Sequence, residues 1–340
     1  MMPTIRDWLQ LFRSHTSPLE MTIAGAGAAL ASGSLWDPNV LLFVIFGWIY
    51  HNAGYGQNSV EDFIRGYDRN DPNKAHHPLQ RGAISMKSGR LVTTIGVALV
   101  LLYGGIICGF DPLSAALLII LVSMGLVYNF FNKLMPAKFI PIAIAHSLIF
   151  PFSFFGAGGY SSLSSEFPFV KEVTLAAALL STLYLILQIA YQIMIEGDLK
   201  DIDMEEASFL KKLGAWVENG EFGSSATARS VSAGLKIVSA FTLIWIAYLQ
   251  EAEIPTYMLL VGAGFLLLLL DQRLMGKRTW DHSKTLKDMA MMEVFSTFAL
   301  VMAIIPTIGW IPAMIFMSIQ VAYFVLMNSF LWGTVIKPKV

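Results

Sequence analysis

Long apolar stretches recur along this chain at a spacing typical of membrane proteins. About 20 consecutive apolar residues cross the hydrocarbon core of a bilayer, and stretches of about that length recur throughout. They are residues 18–35, 38–58, 89–109, 112–130, 139–158, 173–195, 230–250, 254–270, 289–306 and 309–333. The chain is 55% hydrophobic and only 14% charged, whereas soluble domains average about 25% charged residues. The sequence therefore predicts a multi-pass integral membrane protein.

The positions of the basic residues test this topology. If the N-terminus lies in the cytoplasm and the ten spans alternate in direction, every Lys and Arg except Lys171 falls on the cytoplasmic side. Cytoplasmic loops carry an excess of Lys and Arg, so the charge pattern agrees with ten spans. We expect a single membrane domain over residues 1–340, with residues 1–17 forming a cytoplasmic or interfacial N-terminus.

Two of the predicted cytoplasmic connections are long and rich in acidic residues. They are residues 59–88, after the second span, and residues 196–229, after the sixth. The connections on the other side are mostly short, so we expect the functional residues to lie in these two cytoplasmic active-site loops. The single cysteine, Cys108, excludes an internal disulfide and offers no metal-ligand spacing.

The end of the second span places oxygen-bearing side chains on one helical face. Asn58 and Asp62 are four residues apart, and residues at this spacing are neighbours on a helix. Asp68 follows after a turn that contains Gly66. This helix end therefore presents a row of possible oxygen ligands.

The end of the sixth span repeats this arrangement. Asp198 and Asp201 are three residues apart, and Asp201 and Glu205 are four apart. Two acidic helix ends on the same side of the membrane favour one shared cation, because clustered carboxylates repel each other unless positive charge lies between them.

Mg²⁺ suits this set of ligands. It prefers hard oxygens and is usually held by one or two carboxylates together with substrate phosphate. Basic residues near the acidic ends, namely Arg65, Arg69, Lys74 and Lys133, suit the remaining phosphate oxygens. The pattern predicts a polar site for Mg²⁺ and a diphosphate at the cytoplasmic end of a hydrophobic bundle.

The motifs that contain these residues resemble those of a known family. NSVEDFIRGYD (58–68) resembles the first motif of the UbiA superfamily of intramembrane prenyltransferases, and its spacing is most similar to the naphthoate (menaquinone) branch. KAHHPLQRGAIS (74–85) resembles the continuation of that motif, and DLKDIDME (198–205) resembles the second motif. VYNFFNKLMP (127–136) resembles the family's Tyr-then-Lys stretch.

The resemblance implies an all-α bundle of nine to ten transmembrane helices that transfers a prenyl group from a prenyl diphosphate to an acceptor, with Mg²⁺ as cofactor. The implied metal ligands are Asn58, Asp62, Asp68, Asp198, Asp201 and Glu205, of which Asp62, Asp68 and Asp201 are the implied catalytic residues. The implied diphosphate-binding residues are Asn58, Arg65, Lys74, Tyr128 and Lys133. We expect Lys133 to contribute more than Lys138. The expected partners are a hydrophobic or aromatic acceptor and the lipid bilayer, but no nucleic acid.

Several polar residues within the apolar stretches are further candidates. His146 and Glu293 are ionisable and lie inside predicted spans, which marks them as functional candidates, although neutral, hydrogen-bonded roles between helices fit equally well. Gln188 and Gln192 are one turn apart and are expected to face the bundle interior.

Three other functions fit parts of the pattern. A membrane terpene cyclase of the same superfamily would use the same metal and diphosphate without an acceptor, and it remains the main alternative. A transporter would carry its acidic residues near the midplane on interrupted helices, whereas these lie at helix ends. A phosphatidyl alcohol transferase would show a DG-x2-AR signature, which is absent. The identity of the acceptor stays open: Arg13 and His15 suit an acidic acceptor or lipid head groups.

Overall fold

A computed structural model describes residues 3–69, 74–132, 134–135, 137–159, 168–200, 202 and 208–334. The first part of the chain contains α1 (Ile5–Leu11), a 3-10 turn (Ser14–Thr16), α2 (Pro18–Ser32), α3 (Pro38–Ile64), α4 (Met86–Ile107), α5 (Pro112–Phe131), α6 (Phe139–Ser147) and α7 (Ile149–Phe154). The second part contains α8 (Pro168–Tyr191), α9 (Asp198–Lys200), α10 (Phe209–Lys212), α11 (Ala226–Leu249), α12 (Ile254–Met275), α13 (His282–Ala303), α14 (Ile305–Ile308) and α15 (Trp310–Trp332). The described chain is thus predominantly helical, as expected.

Seven of the described helices are long and apolar enough to cross a membrane. They are Met86–Ile107, Pro112–Phe131, Phe139–Gly158, Thr174–Lys200, Ala226–Leu249, Ile254–Met275 and Trp310–Trp332. The other three predicted spans coincide with α2, α3 and α13, which are helical but are not among these seven. The helix α2 has only 15 residues. The second half of α3 is rich in polar residues, and α13 carries four charged residues. The structure confirms a multi-pass helical protein, while a total of nine or ten spans remains a prediction.

Local capping explains where α3 begins and therefore where its functional end lies. The Asp37 side chain accepts a hydrogen bond from the backbone N–H of Asn39, and Pro38 occupies the first helical position. An N-terminal cap satisfies an unpaired backbone donor, and proline has no N–H to leave unpaired. The helix then runs for 27 residues, which places Asn58 and Asp62 in its last two turns.

A small antiparallel sheet corrects the expectation of a purely helical chain with a loop over residues 196–229. Strands β1 (Ala215–Glu218) and β2 (Glu221–Ser224) form a hairpin, and β3 (Arg278–Thr279) pairs with β2. The turn consists of Asn219 and Gly220, which both have positive φ angles, of 51° and 76°. This turn requires such angles, and Asn-Gly is its strongest sequence signal, so the hairpin was recognisable but missed.

The helix α2 forms the centre of the bundle because its small residues allow close packing. Its residues from Thr22 to Leu30 are all buried, and a Cβ atom added to Gly47 on α3 would collide with the Glu20 carbonyl of α2. Small residues let helices approach closely in lipid. The small residues of the first predicted span thus form a packing surface between helices.

The C-terminal helix α15 is held against the N-terminal segment. Arg6 and Gln10 both donate hydrogen bonds to the carbonyl oxygen of Leu331, and the Tyr323 hydroxyl donates to the carbonyl oxygen of Ser14. These contacts bring the two ends of the described chain together, so residues from both can line the same cavity.

Candidate active site

A cavity of about 550 Å³ opens between α2, α3, α5, α6, α13, α15 and the segment after α8. Along α3 it follows the helix from Tyr50 to Asp62, about 18 Å at 1.5 Å per residue. Its polar lining includes Arg13, Asn58, Asp62, Lys74, Lys138 and Lys200, and its apolar lining includes Leu19, Ile142, Val294, Phe298, Val321 and Phe324. The cavity therefore offers both charged groups and an apolar wall to one ligand.

The first acidic motif lies at this cavity in the predicted arrangement. The Asn58 amide donates a hydrogen bond to Asp62 Oδ2 over 3.0 Å, and the Asn132 amide donates to Asn58 Oδ1 over 3.1 Å. All three residues line the cavity. The spacing of four residues on α3 thus places Asn58 and Asp62 side by side, and α5 supplies a partner.

The lysine and aspartate that follow this motif form an ion pair. Lys74 Nζ lies 2.6 Å from Asp68 Oδ1, and Lys74 lines the cavity whereas Asp68 is buried beside it. The position of Asp68 favours a role in orienting Lys74. Arg65 is exposed and does not line the cavity.

At the second motif, Asp198 is fully buried and occupied by protein partners. Its Oδ2 accepts hydrogen bonds from the Ser208 hydroxyl and the Leu210 backbone N–H, each over 3.1 Å. Its Oδ1 lies 2.9 Å from Lys138 Nζ. Lys138 also lines the cavity, and the expectation that Lys133 contributes more than Lys138 stays a prediction. Asp201, Glu205 and Lys133 lie outside the described residues.

Between α8 and α9 the chain widens into a π-helical turn, Gln192–Gly197. Such turns occur frequently at functional sites. Gln192 and Glu196 line the cavity from this turn, and Lys200 lines it from α9. Gln188 lies one turn before Gln192, where it accepts a hydrogen bond from Lys236 Nζ over 3.1 Å. Both glutamines thus face the bundle interior, as expected.

Three of the remaining candidates, Tyr128, Glu293 and His146, also line the cavity. Tyr128 lines it from α5, as its predicted role requires, and Glu293 lines it from α13. His146 lines it from α6, together with His51 of α3. Both histidines contact the carboxylate of Glu20. The sequence analysis missed Glu20 and His51, although ionisable residues inside apolar stretches are a recognisable signal.

His15 is buried at the rim of this cavity, just before α2. It is fully inaccessible to solvent and packs edge-on against Trp332, with ring centroids 5.8 Å apart. Burial, with a smaller contribution from the nearby positive charges of His51 and Arg13, lowers its pKa from 6.5 to about 3. Burial likewise lowers the pKa of His77 to about 3.

We expect His15 to make the protein sensitive to acid. A lowered pKa means that the unfolded chain binds a proton between about pH 6.5 and pH 3 that the folded chain does not, so the stability is present above pH 6.5 and is lost as pH falls through this range. Lowering the pH from 7 to 5 should cost about 2 kcal/mol through His15. Thermal unfolding in detergent at both pH values should show a smaller loss for His15→Gln. Because His77 is unchanged in both proteins, equal losses would contradict this prediction.

Comparison with known protein families classifies the chain. Residues 21–293 match the UbiA prenyltransferase family. The chain belongs to this family. The match runs from α2 into α13 and includes both acidic motifs, but it ends before α15. The lining that α15 gives to the cavity therefore lies beyond the part of the chain that matches this UbiA family.

Solved structures share the fold of this UbiA family member. A structure described as digeranylgeranylglyceryl phosphate synthase has a TM-score of 0.62 and 16% identity, over 90% of this chain and 99% of that chain. A UbiA homologue from Archaeoglobus fulgidus bound to GPP and Mg²⁺ has a TM-score of 0.58 and 16% identity, over 88% and 99%. The homologue bound to DMAPP and Mg²⁺ has a TM-score of 0.54 and 15% identity, over 86% and 99%. At these identities the likeness establishes the fold.

The search of curated proteins found no match to the chain. The naphthoate branch, suggested by the spacing of the first motif, has no support from these comparisons, which identify only the family. The classification therefore holds at the level of the UbiA family, without a branch.

The residues of the first motif fit a magnesium ion. Asp62 and Asn58 present oxygen atoms at a cavity that Lys74 and Lys138 also line, and Mg²⁺ needs only one or two carboxylates when substrate phosphate supplies further oxygens. Among the residues that the structure describes, no group of three or more His, Cys, Asp or Glu side chains could hold a metal ion. The fit therefore rests on the oxygen donors of this first motif.

Proposed function

We propose that this protein transfers a prenyl group from a prenyl diphosphate to an acceptor within the membrane, with Mg²⁺ bound. The observation that supports this most is the single cavity that joins Asn58 and Asp62 to three lysines, namely Lys74, Lys138 and Lys200, and to an apolar wall. Such a cavity matches a ligand with a diphosphate at one end and a hydrocarbon chain at the other.

In this proposal the acidic residues hold the metal and the basic residues hold the diphosphate. Mg²⁺, when bound, supplies a Lewis acid that neutralises charge on the diphosphate. Its proposed ligands are Asn58 and Asp62, together with Asp68, Asp198, Asp201 and Glu205 of the predicted set. Asp68 and Asp198 form ion pairs with Lys74 and Lys138, respectively. Their main proposed role is therefore to orient those two lysines, and metal binding is a second role.

The ammonium groups and one phenol contact the diphosphate oxygens in this proposal. Lys74, Lys138 and Lys200 line the cavity, as does Tyr128, and charge-assisted hydrogen bonds to phosphate are roughly twice as strong as neutral ones. Lys133 and Arg65 remain predicted contributors. Fixed positive groups stabilise the charge that develops as the C–O bond to the diphosphate breaks.

The apolar part of the cavity suits the isoprenoid chain. Leu19, Ile142, Val294, Phe298 and Phe324 line it from four different helices. We also propose that the whole chain forms one membrane domain, that the polar end of the cavity lies on the cytoplasmic side, and that residues 59–88 and 196–229 contribute the active-site loops there. This orientation follows from the distribution of Lys and Arg.

A product assay tests this function. Purified protein should be incubated with Mg²⁺, a series of prenyl diphosphates of increasing length, and acceptors that include aromatic acids and a glycerol phosphate. Mass spectrometry should reveal an acceptor whose mass has increased by one prenyl group. Cyclic hydrocarbons formed without any acceptor would favour the terpene cyclase instead.

We expect removal of the metal to abolish the reaction. Chelation by EDTA should stop the consumption of prenyl diphosphate, since the charge on the leaving diphosphate would then be only partly neutralised, and added Mg²⁺ should restore it. Release of inorganic diphosphate can be measured in the same samples. Undiminished turnover in EDTA would contradict the metal-dependent mechanism.

A further inference from the structure

A buried glutamate bridges two histidines in the wall of the cavity. Glu20 Oε2 lies 2.7 Å from His51 Nδ1, and Glu20 Oε1 lies 3.0 Å from His146 Nδ1. Glu20 is inaccessible to solvent, whereas both histidines line the cavity. The three residues come from α2, α3 and α6, so no local sequence pattern brings them together.

The two histidines differ in what their second ring nitrogen contacts. His51 Nε2 lies 3.2 Å from both the Arg13 carbonyl oxygen and the Thr16 hydroxyl, and that hydroxyl donates its own proton to the Arg13 carbonyl. His51 Nε2 therefore carries a hydrogen and donates it. His51 Nδ1 contacts Glu20 Oε2, so both ring nitrogens of His51 have partners within the protein.

Only one ring nitrogen of His146, Nδ1, contacts Glu20. Its Nδ1 is at ion-pair distance from Glu20, although outside ideal hydrogen-bond geometry. Its Nε2 has no hydrogen-bond partner among the described residues, and 8% of its side chain remains exposed. A carboxylate beside Nδ1 favours the tautomer with hydrogen on that atom, which leaves a lone pair on Nε2. This is the arrangement of a general base.

Two tyrosines of α3 pack against the ring of His146. Tyr50 and Tyr55 both pack edge-on against it, with centroids 5.7 and 6.3 Å away. These tyrosines precede Asn58 on α3 by eight and three residues, or about 12 and 4.5 Å of helix. The His146 ring thus lies further towards the start of α3 than Asn58 and Asp62 do, and it lines the same cavity.

We propose that His146 is the general base of the reaction, and that the acceptor presents a hydroxyl group to His146 Nε2. This rests on the proposed prenyl transfer. As the acceptor oxygen bonds to C1 of the prenyl group, the bond from C1 to the diphosphate oxygen breaks and its electron pair leaves with the diphosphate. The hydroxyl proton passes to His146 Nε2, and the Glu20 carboxylate stabilises the resulting imidazolium through Nδ1–H. Glu20 is then a positioning residue.

Other polar atoms in the cavity wall support a polar acceptor group. Thr22 Oγ1, Gln320 Oε1 and both ring nitrogens of His15 are buried without a hydrogen-bond partner within the described structure, and all three residues line the cavity. Buried polar groups are nearly always hydrogen-bonded. A ligand with hydroxyl or carbonyl groups would satisfy them, whereas a second hydrocarbon chain would not.

Kinetics of two substitutions at His146 test this inference. His146→Asn keeps an N–H near the position of Nδ1 but has no atom at Nε2, and His146→Ala leaves space for a small molecule. A general base contributes about 100- to 10,000-fold, so kcat for transfer should fall by at least about 100-fold in both. The KM for prenyl diphosphate should not change. Added imidazole should restore part of the activity of His146→Ala.

Matched variants separate this role from a structural one. Ser147→Ala removes a buried hydroxyl that bonds within α6 and should leave kcat unchanged. Glu20→Gln should lower kcat without a change in KM and without rescue by imidazole. Glu293→Gln tests the other carboxylate at the cavity and should have a smaller effect than His146→Asn.

Several results would overturn the inference. A near-normal kcat in His146→Asn would show that His146 is not the general base. His146 would have a structural role if its variants lost prenyl diphosphate binding as well as kcat, or if imidazole did not restore activity. A larger fall in kcat for Glu293→Gln than for His146→Asn would identify Glu293 as the base. If the unaltered protein prenylates a carbon atom of an acceptor but no hydroxyl group, this inference fails while the proposed function stands. If it prenylates no acceptor at all, the proposed function fails and this inference falls with it.

Discussion

Replacing Asp62 by alanine should reduce Mg²⁺-dependent consumption of prenyl diphosphate by about 1,000-fold or more. A metal ion contributes several kcal/mol of charge stabilisation in the transition state, and each 1.36 kcal/mol is worth about tenfold in rate. Asp62 is the carboxylate of the first motif that lines the cavity, where Asn58 donates a hydrogen bond to it. Its loss should remove the metal rather than a helix contact. Release of inorganic diphosphate in detergent measures the effect.

The adjacent residue provides a matched control. Glu61 has the same charge and stands in the same turn of α3, but it faces Arg90, at 3.7 Å, and does not line the cavity. Glu61→Ala should therefore keep near-normal turnover. The melting temperature of Asp62→Ala without metal should hold or rise slightly, because its carboxylate no longer repels other acidic groups. Equal activity in the two variants would remove Asp62 from the metal site.

The sequence allowed this part of the site to be predicted because its geometry is local. Asn58 and Asp62 lie four residues apart on one helix, and that spacing alone places them side by side. Lys74, which lies near the first acidic helix end, and Tyr128, which the resemblance to a family implied, were expected at the diphosphate and do line the cavity. Local patterns and family motifs thus account for one side of the cavity.

The opposite wall of the cavity depends on contacts between distant segments. Glu20 lies in the first turn of α2 after Pro18, where an acidic residue is expected on electrostatic grounds alone, so its role was hidden. It becomes informative only when packing brings His51 and His146 to its two oxygens. No periodicity in the sequence reports such a three-helix contact.

The position of Lys138 likewise could not be predicted from spacing in the sequence. Sequence reasoning favoured Lys133 because it follows Tyr128 closely, and it placed Lys138 in the next segment. Lys138 is the residue just before α6, and the start of that helix turns it towards the cavity and the buried Asp198. The direction of a side chain at a helix start depends on how the helix packs, which spacing along the chain does not determine.

Asp198→Ala should destabilise the folded protein strongly. Its carboxylate is fully buried and pairs with Lys138 Nζ at 2.9 Å, and it also accepts hydrogen bonds from Ser208 and the Leu210 backbone. Leaving a buried donor without its acceptor costs about 1–3 kcal/mol, and Asp198→Ala does this to both the Ser208 hydroxyl and the Leu210 N–H. Unfolding by denaturant in detergent should show this loss, with a melting temperature well below that of Asp62→Ala.

A second substitution distinguishes this structural role from metal binding. Lys138 is only partly buried, at 20% exposure of its side chain, so its ammonium can turn to solvent or to a bound phosphate when Asp198 is absent. Adding Lys138→Met to Asp198→Ala should therefore recover little of the lost stability, because most of the loss comes from the Ser208 hydroxyl and the Leu210 N–H, which no longer have their acceptor. The double variant should still bind prenyl diphosphate weakly, since a phosphate contact has been removed. If Asp198→Ala retains full stability and loses only activity, Asp198 acts as a metal ligand and its pairing with Lys138 has little structural importance.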